Sequence, residues 1–113
     1  MDRMNTYRTI LKELLRQEAE VMRQSAQSDI ETELTFDEDR DHYLLLRIGW
    51  TPEGRLFVPT LYARLLNGKI WIENDWTEDG LATGLLERGV PSEDVVLAFH
   101  PPDMRVHTEF AVS

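Results

Sequence analysis

The stretch from Asn67 to Pro102, NGKIWIENDWTEDGLATGLLERGVPSEDVVLAFHPP, decides the fold. Asn67-Gly68 opens it with the strongest short hairpin signal available, because both residues accept the positive φ angles of a type I′ turn. Lys69 to Asn74 then alternates: Ile70 and Ile72 face one side, Lys69, Trp71 and Glu73 the other, which is the pattern of a half-buried strand. Thr77 is an N-cap residue by type for a short helix running to about Arg88. Glu78 and Asp79 suit its positive end, Arg88 suits its negative end, and Leu81, Leu85 and Leu86 form an apolar face. Gly89 is a C-cap residue by type and place. Gly80 and Gly84 fall inside this helix at a cost of about 1 kcal/mol each. Their four-residue spacing puts both on one face and predicts a close approach to the sheet. Val90-Pro91 ends the helix, Ser92 caps one turn through Glu93 and Asp94, and Val95 to Phe99 reads as a buried strand. His100-Pro101-Pro102 stops that strand and forces an extended exit.

Upstream, Arg3 to about Gln24 is helical in period. Tyr7, Ile10, Leu11, Leu14, Leu15, Val21 and Met22 form one apolar stripe, and Asn5 or Thr6 can cap the start. Residues 25–29 break the period and read as a loop. Ile30, Thr32, Leu34 and Phe36 alternate with Glu31, Glu33 and Thr35, a strand with one wet face. Residues 37–41, DEDRD, form a charged hairpin connection whose spacing does not match a calcium loop. His42 to Trp50 is a second strand. Pro52 and Gly54 mark a turn. Arg55 to Leu66 is a third strand, with Leu56, Val58, Thr60 and Tyr62 opposite Phe57, Leu61 and Ala63. Pro59 cannot donate to a ladder, so this strand is an edge there or carries a bulge. The tail from His107 to Ser113 offers a last strand through Phe110 and Val112. The expected fold is α+β: an antiparallel sheet of about five or six strands, with the long N-terminal helix and the shorter second helix packed on it.

The length of 113 residues suits one domain spanning 1–113, able to bury roughly 60 to 70% of its unfolded surface without a covalent staple. There are no cysteines, which excludes a disulfide framework, a thiolate zinc site and thiol catalysis. The first residues lack the apolar core of a signal peptide and no apolar run approaches membrane-spanning length, so a cytoplasmic protein without membrane contact is expected. The formal net charge is −9, from 12 basic and 21 acidic residues. Nucleic-acid affinity comes mainly from Lys and Arg neutralising phosphates, so direct nucleic-acid binding is not expected.

No constellation dictates a reaction. The serines sit in expected loops, a cap or the terminus, none in a nucleophile elbow, and no glycine-rich phosphate loop is present. His42, His100 and His107 are far apart in sequence. His100, beside the Pro-Pro corner, is the one most worth watching, although a satisfied structural histidine is the simpler reading. The reading is therefore not an enzyme, with no cofactor and no metal. Two alternatives stay open: a DNA-binding accessory factor using Arg47, Arg55 and Arg64, and a metal-dependent enzyme using His100 with Asp75 or Glu78.

RDHYLLLRIGW at 40–50, the stretch GKIWIENDWTEDGLATGLLERGVPSEDVVLAFHPP at 68–102 and TEFAVS at 108–113 resemble the XisI family, the fdxN element excision controlling factors, found chiefly in cyanobacteria. The resemblance implies an accessory, regulatory role in a programmed DNA rearrangement whose strand exchange a separate recombinase performs. It also implies a companion, a XisH-like protein. The family supplies no catalytic residues. Its signature matches His42, Tyr43, Gly49, Trp50, Trp71, Asp75, Glu78, Gly89, Pro91, His100, Pro101 and Pro102, while Trp76 stands where a small or polar residue is usual. Those among them expected to form a contact surface are His42, Tyr43, Trp50, Trp71, Asp75, Trp76, Glu78, His100, Pro101 and Pro102. Outward aromatics (Trp71 and Phe57) and the interruption at Pro59 add an expectation of a homo-oligomer.

Overall fold

The computed structural model describes residues 2–25 and 29–113. Residues 26–28 of the expected loop at 25–29 lie outside the described residues. Helix α1 spans Arg3–Ser25. Its cap is Asp2, whose Oδ1 accepts the Met4 N–H at 3.0 Å; Asn5 and Thr6 already lie within the first turns. Tyr7, Leu11, Leu15 and Ala19 recur every four residues and are buried, whereas Val21, expected in the same stripe, is 59% exposed.

Four strands follow as an antiparallel meander: β1 (Ile30–Asp37), β2 (His42–Thr51), β3 (Gly54–Leu66) and β4 (Lys69–Asp75). Asn67 and Gly68 turn between β3 and β4 with φ of 54° and 79°, the positive angles a type I′ turn requires. Helix α2 is shorter than expected, Leu81–Glu87. Its end is a Schellman motif: the Gly89 N–H reaches Leu86 O, the Val90 N–H reaches Leu85 O, and Gly89 has φ +89°. A single 3-10 turn at Ser92–Asp94, with Pro91 rather than Ser92 at its N-cap, leads into β5 (Val95–Leu97). Helix α2 returns the chain to the end of the sheet from which β4 began, so β5 pairs parallel to β4. The sheet, in order β1-β2-β3-β4-β5, is therefore antiparallel except at one edge. Pro101 is extended as expected, but Pro102 starts a short helix, α3 (Pro102–Arg105). The tail contributes a single bridge, Val96 to Ala111, in place of a sixth strand.

Two bulges decide which side chains face inward. Along β2 and β3, Leu45 pairs Leu61 and Leu46 pairs Pro59, leaving Thr60 as the extra residue. Along β3 and β4, Tyr62 pairs Asn74 and Ala63 pairs Ile72, leaving Glu73 as the extra residue. The first bulge reverses the alternation of β3. Leu61, Ala63 and Leu65 face the helices, while Phe57 and Pro59 face away, so Phe57 does not share the face of Leu61 and Ala63 as simple alternation predicts. The second turns Asp75 inward beside Leu61.

Both larger helices lie on that inner face, closing one core of Leu11, Leu15, Tyr43, Leu45, Leu61, Ile70, Ile72, Leu85 and Val95 among others. Gly84 does bring α2 close to a neighbour, but the neighbour is α1: a Cβ there would stand 3.2 Å from Leu14 Cδ2. Several polar ties fix α1, two of them in its first turns. Tyr7 Oη donates to the buried Asp94 carboxylate, which Arg3 also approaches at 3.6 Å. Burial and the Asp94 carboxylate push the Tyr7 hydroxyl up to about 12. Arg8 donates to both oxygens of Asp41, at 2.6 and 3.1 Å, tying α1 to the β1–β2 turn.

Gly49 is required by close approach. An added Cβ would stand 2.0 Å from the Asp29 carbonyl oxygen and 2.8 Å from Ile30 Cα, where the chain entering β1 crosses β2. Relief would mean moving backbone, so Gly49→Ala is expected to cost about 3 kcal/mol or more. A thermal melt would show a fall of roughly 10 °C or more; an unchanged melting temperature would contradict the close packing of Asp29 on Gly49.

Candidate contact surface

The residues expected to form a contact surface, Tyr43 excepted, fall into three places. The first is the loop from β4 to α2. Asp75, turned inward by the Glu73 bulge, spends its carboxylate on the loop and the helix start: Oδ1 accepts the Thr77 N–H at 2.9 Å and the Thr77 hydroxyl at 2.5 Å, and Oδ2 accepts the Leu81 N–H at 2.6 Å. Asp75 therefore does the capping expected of Thr77. Gly80, with φ +85°, is the residue ahead of the helix, and Glu78 and Asp79 precede it rather than filling its first turn. The loop is further anchored by the Trp76 N–H, which donates to Thr60 O at 2.9 Å. Trp76 itself is 72% exposed, the most exposed large apolar side chain among the described residues, and Glu78 beside it is exposed. Under this loop a cleft of about 610 Å³ runs between α1 and α2, lined by Leu14, Gln17, Glu18, Thr77, Asp79 and Glu87 among others. Burial, and then the charges of Asp75 and Asp79, push the Glu18 carboxyl above its ordinary range.

The second place is a row on the outer sheet face. His42 pairs Arg64 across β2 and β3, and Arg64 pairs Trp71 across β3 and β4. His42 Nδ1 bonds Tyr62 Oη, the two rings stacking with centroids 5.8 Å apart. Arg64 holds Glu73 at 2.8 Å. The Trp71 indole N–H donates to Leu66 O at 3.1 Å, and the Arg105 guanidinium lies 5.6 Å from a ring centroid of the same indole. Arg105 also donates to His100 O at 2.8 Å, Ala98 O at 3.3 Å and Val112 O at 3.2 Å. It stitches the Pro101-Pro102 corner and the C-terminal segment to the sheet. His100 packs its ring on Phe99 at 4.6 Å, and both prolines are exposed. The role of Arg105 was missed from sequence; a basic residue just after a Pro-Pro helix start was its one available signal.

The third place is the far end of β2. Trp50 is 60% exposed on the outer face, with the Arg55 guanidinium 5.3 Å from its ring. Tyr43 belongs to none of these surfaces. Its side chain is fully buried, and its hydroxyl donates to Asp41 Oδ1 at 2.8 Å, so it is a core residue that orients the carboxylate gripped by Arg8. The Arg8 guanidinium, with the Tyr43 hydroxyl, holds the Asp41 carboxyl below the usual range.

The arginines weighed as a phosphate patch are divided. Arg47 faces inward and donates to Thr60 Oγ1 at 3.2 Å, Arg64 is paired with Glu73, and Arg55 lies on Trp50. Asp75, His100 and Glu78 form no three-residue metal cluster: no group of three metal-ligating side chains occurs among the described residues. Among those residues no helix is long and apolar enough to cross a membrane.

The family model described as XisI protein matches residues 1–112. The chain belongs to the XisI family. Two solved XisI-family structures share its fold. A XisI-like protein from Anabaena variabilis is 30% identical, with a TM-score of 0.88 over 96% of this chain and 97% of that one. The fdxN element excision controlling factor XisI from Anabaena variabilis is 35% identical, with a TM-score of 0.84 over 99% of this chain and 100% of that one. No curated protein matches the chain. Within this XisI fold, burial first and then the charges of Asp75 and Asp79 make the ionised form of Glu18 unfavourable. A carboxyl raised in the folded state destabilises folding once pH exceeds its ordinary value of 4.5, and the penalty disappears below that value. Glu18→Gln is therefore expected to raise the melting temperature at pH 7 by a few degrees, with the gain closing below about pH 4.5. Melts across that range check it; a gain independent of pH would rule out the charge as its cause.

Proposed function

We propose that this XisI-family chain is a non-catalytic accessory protein of programmed DNA-element excision that acts by protein–protein contact with a XisH-like partner. The strand exchange itself belongs to a separate recombinase. The observation that carries this reading is the β4–α2 loop. It holds Trp76 outward on a base fixed by three hydrogen bonds to Asp75 and one to Thr60. A large aromatic on a rigid, pre-ordered loop is the usual anchor of a protein interface, because little conformational entropy remains to be lost on docking. Glu78 and Asp79 beside it, on a chain of net charge −9, favour a partner whose rim is basic. The candidate residues elsewhere act as caps, ring stacks and backbone ties, roles that hold a surface in shape and transfer no group.

The test is co-expression of the tagged chain with a XisH-like protein. The two are expected to elute together, and Trp76→Ala is expected to weaken the complex roughly tenfold or more while leaving the melting temperature unchanged. Failure of the wild-type pair to co-elute would overturn the reading.

A further inference from the structure

The two larger helices cover only the inner face of the sheet. On the outer face, Leu44, Leu46 and Ile48 of β2 run beside Phe57 and Pro59 of β3, and Trp50 closes the row at the hairpin end. Phe57 is 65% exposed and Trp50 60%, and the C-terminal segment, gathered by Arg105 over Trp71, covers the opposite end of the face. We propose that this strip is a self-association surface, and that its occupant is the same strip of a second copy of this chain.

The charge pattern selects both occupant and orientation. Glu31 and Glu33 line the β1 margin of the strip, opposite Ile48 and Leu46. Arg55 lies on the β3 margin, opposite Trp50. Among the described residues none of these three has an ion-pair partner. An apolar strip with one acidic and one basic margin is complementary to itself when a two-fold axis runs along the strands. That operation lays the β1 margin of one copy over the β3 side of the other, acid against base. It also keeps the hairpin ends together, so Trp50 and Phe57 of each copy meet. A two-fold axis across the strands would place β1 on β1, acid on acid, and is disfavoured. The ten residues of β2 span about 34 Å, and the three strands β1 to β3 span roughly 14 Å, a flat area on the order of 480 Å² per partner. That is the size of a small, reversible interface, below the roughly 800 Å² per partner of a standard one.

The experiment is light scattering on the chain alone, with no companion protein present, so its outcome is separate from that of the partner proposal. A mass of twice 13.2 kDa is expected, with Phe57→Glu giving a monomer through a loss of affinity of roughly thirtyfold or more. Phe57 is exposed, so the variant's circular dichroism should match the wild type, and any fall in its melting temperature should shrink as the wild type is diluted toward monomer, showing that the change is one of assembly. Glu31→Arg with Glu33→Arg should weaken the dimer, and adding Arg55→Glu should restore it. A strict monomer at high concentration, or a dimer indifferent to Phe57→Glu, overturns the proposal. A charge exchange that fails to restore assembly overturns the orientation.

Discussion

The structure depends on the backbone at Pro59-Thr60. Pro59 has no N–H to give to a ladder, and the chain absorbs the break by inserting Thr60 as an unpaired residue opposite β2. That single insertion exchanges the faces of β3 on either side of it. Beyond it, Leu61, Ala63 and Leu65 enter the core; before it, Phe57 leaves the core. The inserted residue then serves as a tether. Its buried hydroxyl takes the inward Arg47, and its carbonyl takes the Trp76 N–H, so the position that decides the sheet's faces also fixes the loop that presents Trp76.

The Glu73 bulge is the counterpart one strand away. With unbroken alternation after Ile70 and Ile72, Asn74 would face the helices and Asp75 would face out. The extra residue reverses this: Asn74 pairs Tyr62 outside and donates to Pro59 O at 2.5 Å, while Asp75 turns in to cap α2. Glu73 itself takes Arg64, so the bulged residue is held by an ion pair on the outer face. The two bulges lie on adjacent strands and support each other through Asn74 to Pro59 and Trp76 to Thr60.

What could be read from sequence followed from how local the physics was. The β1 to β4 strands, the Asn67-Gly68 turn, the long helix and the Gly89 stop are set by side-chain period and by backbone angles that few residues accept, and they lie close to where the sequence places them. The start of α2 was displaced because Thr77 has the chemistry of a cap, but a carboxylate two residues earlier reaches further and takes the Leu81 N–H. Gly80 inside a predicted helix was the warning: its positive φ belongs ahead of a helix, not within one. The parallel pairing of β5 was invisible locally, since three residues, Val95–Leu97, carry no direction. Tyr43 read as surface because it belongs to the family signature, and only its burial and its bond to Asp41 reveal a packing role.

The division of labour between the two faces follows from these constraints. The inner face is spent on stability: α1 is tied by Tyr7 to Asp94 and by Arg8 to Asp41, and α2 is drawn against it through Gly84. Groups in those ties have their hydrogen-bonding capacity engaged and little freedom to move. The outer face and the β4–α2 loop show the opposite character, with aromatic side chains held in place from beneath and open to solvent above. Because Asp75 and Thr60 anchor the loop through backbone groups, the identity of the side chain at position 76 is free to change without disturbing the fold. A large indole there raises the apolar area exposed to water, a cost that burial against another surface would remove. An exposed tryptophan at a position the fold leaves unconstrained is what the proposed contact requires.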